Sequence, residues 1–195
     1  MTCPVGRSEL DQASASGPIY LDLHGGALFT GGGDCCRATG TSTAQRVRMR
    51  IWGVDYRMLP DHPFPAALDD CVTVYRALLK ERSPQDIVVG GASAGGNLVA
   101  APVGTVLFGG FSPGFPPTLL ASGTRDLFLS NAVRMHRALR AAGIPADLHA
   151  FEAAPHELMP AGTPEDEQLL QGIHRFIETD CPAVRSGGGR HQTER

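Results

Sequence analysis

Residues 90–96 read Gly90-Gly91-Ala92-Ser93-Ala94-Gly95-Gly96, a serine set among residues with almost no side chain. The apolar run Ile87-Val88-Val89 leads in, and Asn97-Leu98-Val99-Ala100 comes after. Such a stretch marks either a turn too tight for larger residues or ordinary close packing of a strand against a helix. A phosphate-binding turn is a further reading. A dinucleotide site is weaker, since no GxGxxG pattern occurs. The rest of the chain has to decide.

The totals set bounds. A chain of 195 residues fits one domain with a core of its own. With 42% hydrophobic and 19% charged residues, its composition is that of a globular protein, and 24 glycines with 15 prolines imply many tight turns. A net charge of −3 gives no reason to expect nucleic acid as a partner. No apolar run approaches the roughly 20 residues of a membrane span, and the first residues lack the apolar core of a secretory signal. Cys3, Cys35, Cys36, Cys71 and Cys181 form an odd set without CxxC pairs. Reduced thiols in the cytoplasm are the expectation, and Cys35-Cys36 is too isolated for a metal.

Outward from Ser93 the pattern is one of strands alternating with helices. Ile19–Leu23, Met49–Asp55, Ile87–Gly90, Thr118–Gly123 and Asp147–Phe151 read as short strands. Residues 31–47 suggest a modest helix of poor periodicity. Between 66 and 82, Leu68, Val72, Tyr75, Leu78 and Leu79 recur at helical spacing. A helix after Ser93 is stopped early by Pro102. A helix over 131–142 takes Ser130 as N-cap and ends at Gly143 and Pro145. The helix over 164–179 is capped by Thr163, with Pro164 in its first turn and Glu165, Asp166 and Glu167 at its positive end. The organisation expected is an irregular lead-in over 1–18, a single domain over 19–179 and a disordered tail over 180–195. Its fold class is α/β, a mostly parallel sheet flanked by helices.

A strand, Gly-x-Ser-x-Gly and a helix in that order describe a nucleophile elbow. Gly91 and Gly95 flank the serine where strand and helix must nearly touch. A serine hydroxyl attacks only when a base takes its proton, and in this architecture the acid and then the histidine come after the serine along the chain. Asp126 lies just after the fourth strand and His156 in the loop after the fifth, so both emerge at the carboxyl edge of the sheet beside Ser93. His136 and His174 fall in helices, His149 in a strand and His62 in the proline loop. His24-Gly25-Gly26 closes the first strand in the manner of an oxyanion-hole loop, with Gly25, Gly26 and Ala94 as backbone N–H donors. Each feature also has a plainer reading: turn-forming aspartate, surface histidine, glycine packing.

The stretches His24-Gly25-Gly26, Asp55-Tyr56-Arg57, residues 63–70, residues 91–98, Pro116-Pro117-Thr118 with Gly123-Thr124-Arg125-Asp126, and the His156 loop together resemble the hormone-sensitive-lipase-like branch of the α/β-hydrolases. Bacterial esterases and monoterpene ε-lactone hydrolase-like enzymes are the most similar members. The resemblance implies hydrolysis of a small-molecule carboxylic ester or lactone without metal or cofactor. Ser93 would be the nucleophile, His156 the base, Asp126 the orienting acid, and Gly25, Gly26 and Ala94 the oxyanion donors.

Only 33 positions separate Ser93 from Asp126, whereas relatives carry a far longer segment. The resemblance therefore implies a reduced fold, lacking most of the cap, early segments and one central strand, with Val103–Phe108 the candidate replacement. Losing a strand displaces the later strands by about 4.8 Å or leaves a gap, and catalytic geometry tolerates about 0.5 Å. Two functions stay open: a cofactor-free esterase or lactonase, and a non-catalytic, internally deleted remnant or binding module. Apolar surface bared by a missing cap makes a homo-oligomer the other partner expectation.

Overall fold

The computed structural model describes Thr2–Cys3, residues 17–100, Phe111, residues 115–156 and residues 161–181. These divide into two compact units, the first drawn from residues 1–99 and 175–195 and the second from 100–174.

In the first unit, β1 (Thr2–Cys3), β2 (Ile19–Leu23), β3 (Arg50–Val54) and β4 (Ile87–Gly91) form one sheet in the order β1-β3-β2-β4. Strands β3, β2 and β4 are parallel, with Leu21 opposite both Trp52 and Val89, and β1 adds antiparallel to β3. The lead-in thus contributes a two-residue strand. As the central strand, β2 is covered on both faces, which is why four of its five residues are buried.

Helix α2 (Ala66–Leu78) lays Ala67, Cys71, Val74 and Leu78 against Ile19, Leu21, Leu23 and Val54. The stripe expected from sequence is rotated by about one residue: Leu78 is buried as expected, but Leu68 and Tyr75 only flank this core, and Leu79 is exposed. Small side chains take the face nearest the sheet because they let the helix approach closely. Helix α1 (Asp34–Val47) obeys the same logic with Cys36, Gly40, Ala44 and Val47. Its Thr39, Thr41 and Thr43 hydroxyls donate to carbonyls one turn back.

Asp22 stands apart. It lies on β2 opposite Gly53 and Gly90, so neither neighbouring strand offers a side chain beside it, and it is only 6% exposed.

Strand β4 leads through the Ser93 turn into α3 (Ala94–Ala100). In the second unit, β5 (Thr118–Gly123) and β6 (Ala146–Phe151) pair in parallel as a separate two-stranded sheet, joined by α4 (Leu129–Ala141). Met135, Leu139, Ile144 and Ala146 pack there with Phe111, Phe115 and Leu120. Among the described residues no strand pairs with the outer edge of β4 or of β5. Val103–Phe108 lies outside the described residues, as does 182–195 of the expected tail.

Helix α4 starts earlier than expected, and Ser130 is inside it rather than its N-cap. Asp126 organises the start instead: its Oδ1 accepts from Phe128 N–H at 2.8 Å and its carbonyl from Leu129 N–H at 3.1 Å. Gly143 ends the helix at φ +75°. There Ile144 N–H reaches Leu139 O at 3.0 Å and Gly143 N–H reaches Arg140 O at 3.1 Å, the paired bonds of a glycine C-terminal stop. Helix α5 (Pro164–Asp180) is capped as its sequence indicates. Thr163 Oγ1 accepts from Asp166 N–H at 3.3 Å, and Asp166 Oδ2 accepts from Gly162 N–H at 3.0 Å. Among the described residues no helix is long and apolar enough to cross a membrane.

Burial pushes the Asp22 carboxyl up to about 6 from an ordinary 3.8. A carboxyl raised in the folded state holds its proton more tightly folded than unfolded. Its contribution is therefore complete below the unfolded value and is lost as pH rises through the folded one. Asp22→Asn, a neutral isostere, should stabilise the protein by about 2–3 kcal/mol at neutral pH and by little near pH 4. Denaturant titrations at the two pH values measure this.

Candidate active site

Strand β4 ends at Gly91, and two residues later Ser93 sits at φ +51°, a left-handed conformation uncommon for a side-chain-bearing residue. The chain turns there into α3, with Gly95 N–H donating to Ala92 O at 2.8 Å and Asn97 N–H to Ser93 O at 3.0 Å. A Cβ on Gly91 would lie 2.5 Å from Leu23 O and 2.6 Å from the Gly95 carbonyl carbon. One on Gly95 would strike Leu23 O and come within 2.7 Å of His24 O. The small residues around Ser93 are thus a steric requirement. The elbow rests directly on the backbone where β2 runs into His24-Gly25-Gly26.

That loop is held from several sides. The His24 ring is buried and stacks on Tyr56, with centroids 4.0 Å apart and planes within 10°. Its Nδ1–H donates to Gly25 O at 2.7 Å, and Tyr56 Oη–H donates to His24 O at 2.7 Å. Gly26, at φ +111°, accepts at its carbonyl from Phe29 and Thr30 N–H at 2.9 and 3.0 Å. Asp55 Oδ1 accepts from Gly33 N–H at 3.0 Å. Arg57 makes a two-pronged ion pair with Asp70 of α2, with contacts of 2.9 to 3.1 Å, and its own N–H reaches Asp70 Oδ2 at 2.9 Å. Their mutual pairing holds the Asp70 carboxyl below its usual range.

Sequence reasoning singled out Asp55-Tyr56-Arg57 without assigning these residues roles. Tyr56 and Asp55 brace the loop that runs from His24 to Gly33, and Arg57 ties the segment after β3 to α2. The signal was present as a polar triplet directly after a buried strand.

In the second unit Asp126 and His156 come together. His156 Nδ1–H donates to Asp126 Oδ1 at 2.9 Å, which makes Nε2 the basic nitrogen. Phe128 N–H shares Oδ1, and Ser122 Oγ–H donates to Oδ2 at 3.0 Å. Burial alone would raise the Asp126 carboxyl. The hydrogen bonds from Phe128 N–H, Ser122 and His156 outweigh it and hold the group below its ordinary value. The Phe128 ring meets the imidazole edge-on at 5.0 Å.

The loops bearing the pair are tied to each other. Arg125 N–H donates to Ala154 O at 3.0 Å, Thr124 N–H to Phe151 O at 2.9 Å, and Ala153 N–H to Thr124 Oγ1 at 2.7 Å. A Cβ on Gly123 would strike Ala154 O. The expected residues therefore fall into two groups: Ser93 with Ala94, Gly25, Gly26, His24, Gly91 and Gly95 in the first unit, and Asp126 with His156 in the second.

Ser122 was not among the residues expected at the site; nothing in the sequence marks it except its place four residues before Asp126. Cys35, Cys36, Cys71 and Cys181 stand outside any disulfide. One group of potential metal ligands occurs among the described residues: His24, Cys36 and Asp55. Cys36 is isolated only in sequence.

Gly95→Ala places a methyl group against backbone that cannot step aside. It should cost at least the roughly 1–3 kcal/mol of ordinary overpacking, whereas Gly143→Ala meets no atom within 4 Å and only the strain of its positive φ. Thermal melts of the two variants measure the difference.

Residues 20–107 match the family model described as alpha/beta hydrolase fold. An esterase of Acinetobacter venetianus is 44% identical over 91 residues, 46% of this chain and 30% of that protein. The versiconal hemiacetal acetate esterase of Emericella nidulans is 40% identical over 84 residues, 43% of this chain and 29% of that protein. The matched stretch thus spans less than a third of these relatives' length. Among solved structures, an esterase 28% identical superposes with a TM-score of 0.77 over 84% of this chain and 70% of its own. A hormone-sensitive lipase from a metagenome library, 23% identical, shares the fold at a TM-score of 0.72 over 86% of this chain and 80% of its own. Residues 20–107 thus match an α/β-hydrolase family model by sequence, and most of the chain shares the α/β-hydrolase fold of these solved structures.

Proposed function

We propose that this chain hydrolyses carboxylic esters through an acyl-enzyme on Ser93, with His156 as base, Asp126 as orienting acid, and the amides of Gly25, Gly26 and Ala94 as oxyanion donors. The observation that carries the reading is the Asp126–His156 hydrogen bond of 2.9 Å. It couples the two residues that chain order alone had singled out, and the elbow conformation of Ser93 supports it.

In the reaction His156 Nε2 takes the Ser93 proton as Oγ attacks the ester carbon, and the carbonyl oxygen becomes an oxyanion facing the backbone donors. Collapse breaks the ester C–O bond, and the imidazolium returns its proton to the departing alcohol. Water, deprotonated by the same imidazole, then frees the acid and regenerates Ser93. In a lactone the departing alcohol stays tethered to the acyl group, and hydrolysis releases a hydroxy acid. Asp126, kept as a carboxylate, fixes the tautomer and steadies the imidazolium.

A second reading has its own support: β4 and β5 belong to separate sheets among the described residues. A binding module or remnant that retains the motifs without turnover would look alike in sequence.

A fluorophosphonate probe separates the two readings, because it captures a serine only when base and oxyanion donors are assembled. Labelling at Ser93, abolished by Ser93→Ala, is the expected outcome. Folded protein that takes no label supports the non-catalytic reading. If labelling occurs, Asp126→Asn should lower kcat towards short-chain esters by a factor on the order of 10³–10⁴. Ser122→Ala, which removes one donor to the acid, should lower it by a smaller factor and shift the acid limb of the kcat pH profile upward.

A further inference from the structure

We propose that His24, Cys36 and Asp55 form a zinc-binding site that fastens the His24-Gly25-Gly26 loop to α1 and to the end of β3. One ligand atom from each residue, an imidazole nitrogen, the Cys36 Sγ and a carboxylate oxygen, lies within 4.8 Å of the other two. The three residues come from three elements that meet only in the fold. His24 and Cys36 are 3% and 1% exposed.

The state of His24 is the second, independent observation. A carbonyl only accepts, so the 2.7 Å contact with Gly25 O places the proton on Nδ1 and leaves the lone pair on Nε2. Among the described residues Nε2 is buried without a hydrogen-bond partner. A buried nitrogen lone pair without a donor is costly. Metal-binding histidines are held in this manner, one ring nitrogen donating to a backbone carbonyl and the other presenting its lone pair to the ion. Stacking on Tyr56 fixes the plane of the ring, and the Gly33 N–H bond orients the Asp55 carboxylate, which has lone pairs for both partners.

Neutral imidazole, thiolate and carboxylate are a zinc set, with water completing a tetrahedron. On binding, the Cys36 S–H bond breaks, its proton passes to solvent, and an S–Zn bond forms without any change of oxidation state. The ion's two positive charges meet one thiolate and one carboxylate, so no net charge is buried. Such an ion acts on the loop rather than on substrate, and the proposal stands whether or not the protein hydrolyses esters.

Cobalt(II) is the probe, since it takes zinc sites and reports them by colour. Titrated into chelator-treated full-length protein, it should give a thiolate-to-cobalt band in the near ultraviolet with strong visible bands of a four-coordinate ion. These should saturate at about one ion per chain and be displaced by zinc. Zinc should raise the melting temperature, and affinity should weaken towards acid because protons compete with the ion for its ligands. Cys36→Ser should abolish the thiolate band, and Cys35→Ser, at the exposed neighbour, should retain it.

A folded wild type that gives no thiolate band overturns the site, as does a band that persists in Cys36→Ser. If Cys36→Ser does not fold, the wild-type titration and Cys35→Ser decide: loss of the band in Cys35→Ser assigns the ion to the surface thiol and overturns the proposal.

Discussion

The backbone carbonyls of Leu23 and His24 set the terms for the first unit. They lie where any side chain on Gly95 would stand, and Leu23 O is as close to where one on Gly91 would be. Strand β4 can therefore turn into α3 only if the turn is built from residues that are almost all backbone, and Ser93 takes a left-handed φ at its centre. Contact at this distance leaves no slack. The nucleophile candidate and the loop bearing the Gly25 and Gly26 amides are positioned by the same few atoms.

Polar struts then fix that loop from behind. Tyr56 reaches the His24 carbonyl, Asp55 reaches Gly33, and Arg57 grips Asp70 of α2. Three consecutive residues at the end of β3 thus tie the loop, the glycine-rich approach to α1 and the neighbouring helix together. The Tyr56 bond is the buried one, and it adds specificity beyond its net energy, because breaking it strands its partner away from water.

How much of this is legible in the sequence depends on what each feature leaves in the pattern. The strands were legible because apolar runs between glycines are hard to read otherwise, and the elbow because serine among glycines has few physical reasons. The Asp126–His156 pair was legible from chain order on strand ends and came together in space. The buried face of α1 was hard to see, since Cys36, Gly40 and Ala44 are small and carry little hydrophobic signal. The face of α2 was misjudged by about a residue for a related reason: the bulky residues gave the stronger pattern, and the small ones took the closest contact. Ser130 was a plausible cap until Asp126 bonded Phe128 N–H two residues earlier. The burial of Asp22 depends on strand register, which places glycines on both sides, and no local pattern carries that.

The ties between the loops after β5 and β6 have a further consequence. Thr124, Arg125 and Ala154 bind these loops so closely that Asp126 and His156 share a single local frame. Ser93 and its neighbours have a frame of their own, set by Leu23 and His24. A substitution that loosens Thr124 or crowds Gly123 therefore acts on both loops at once, and it displaces Asp126 and His156 together rather than one against the other.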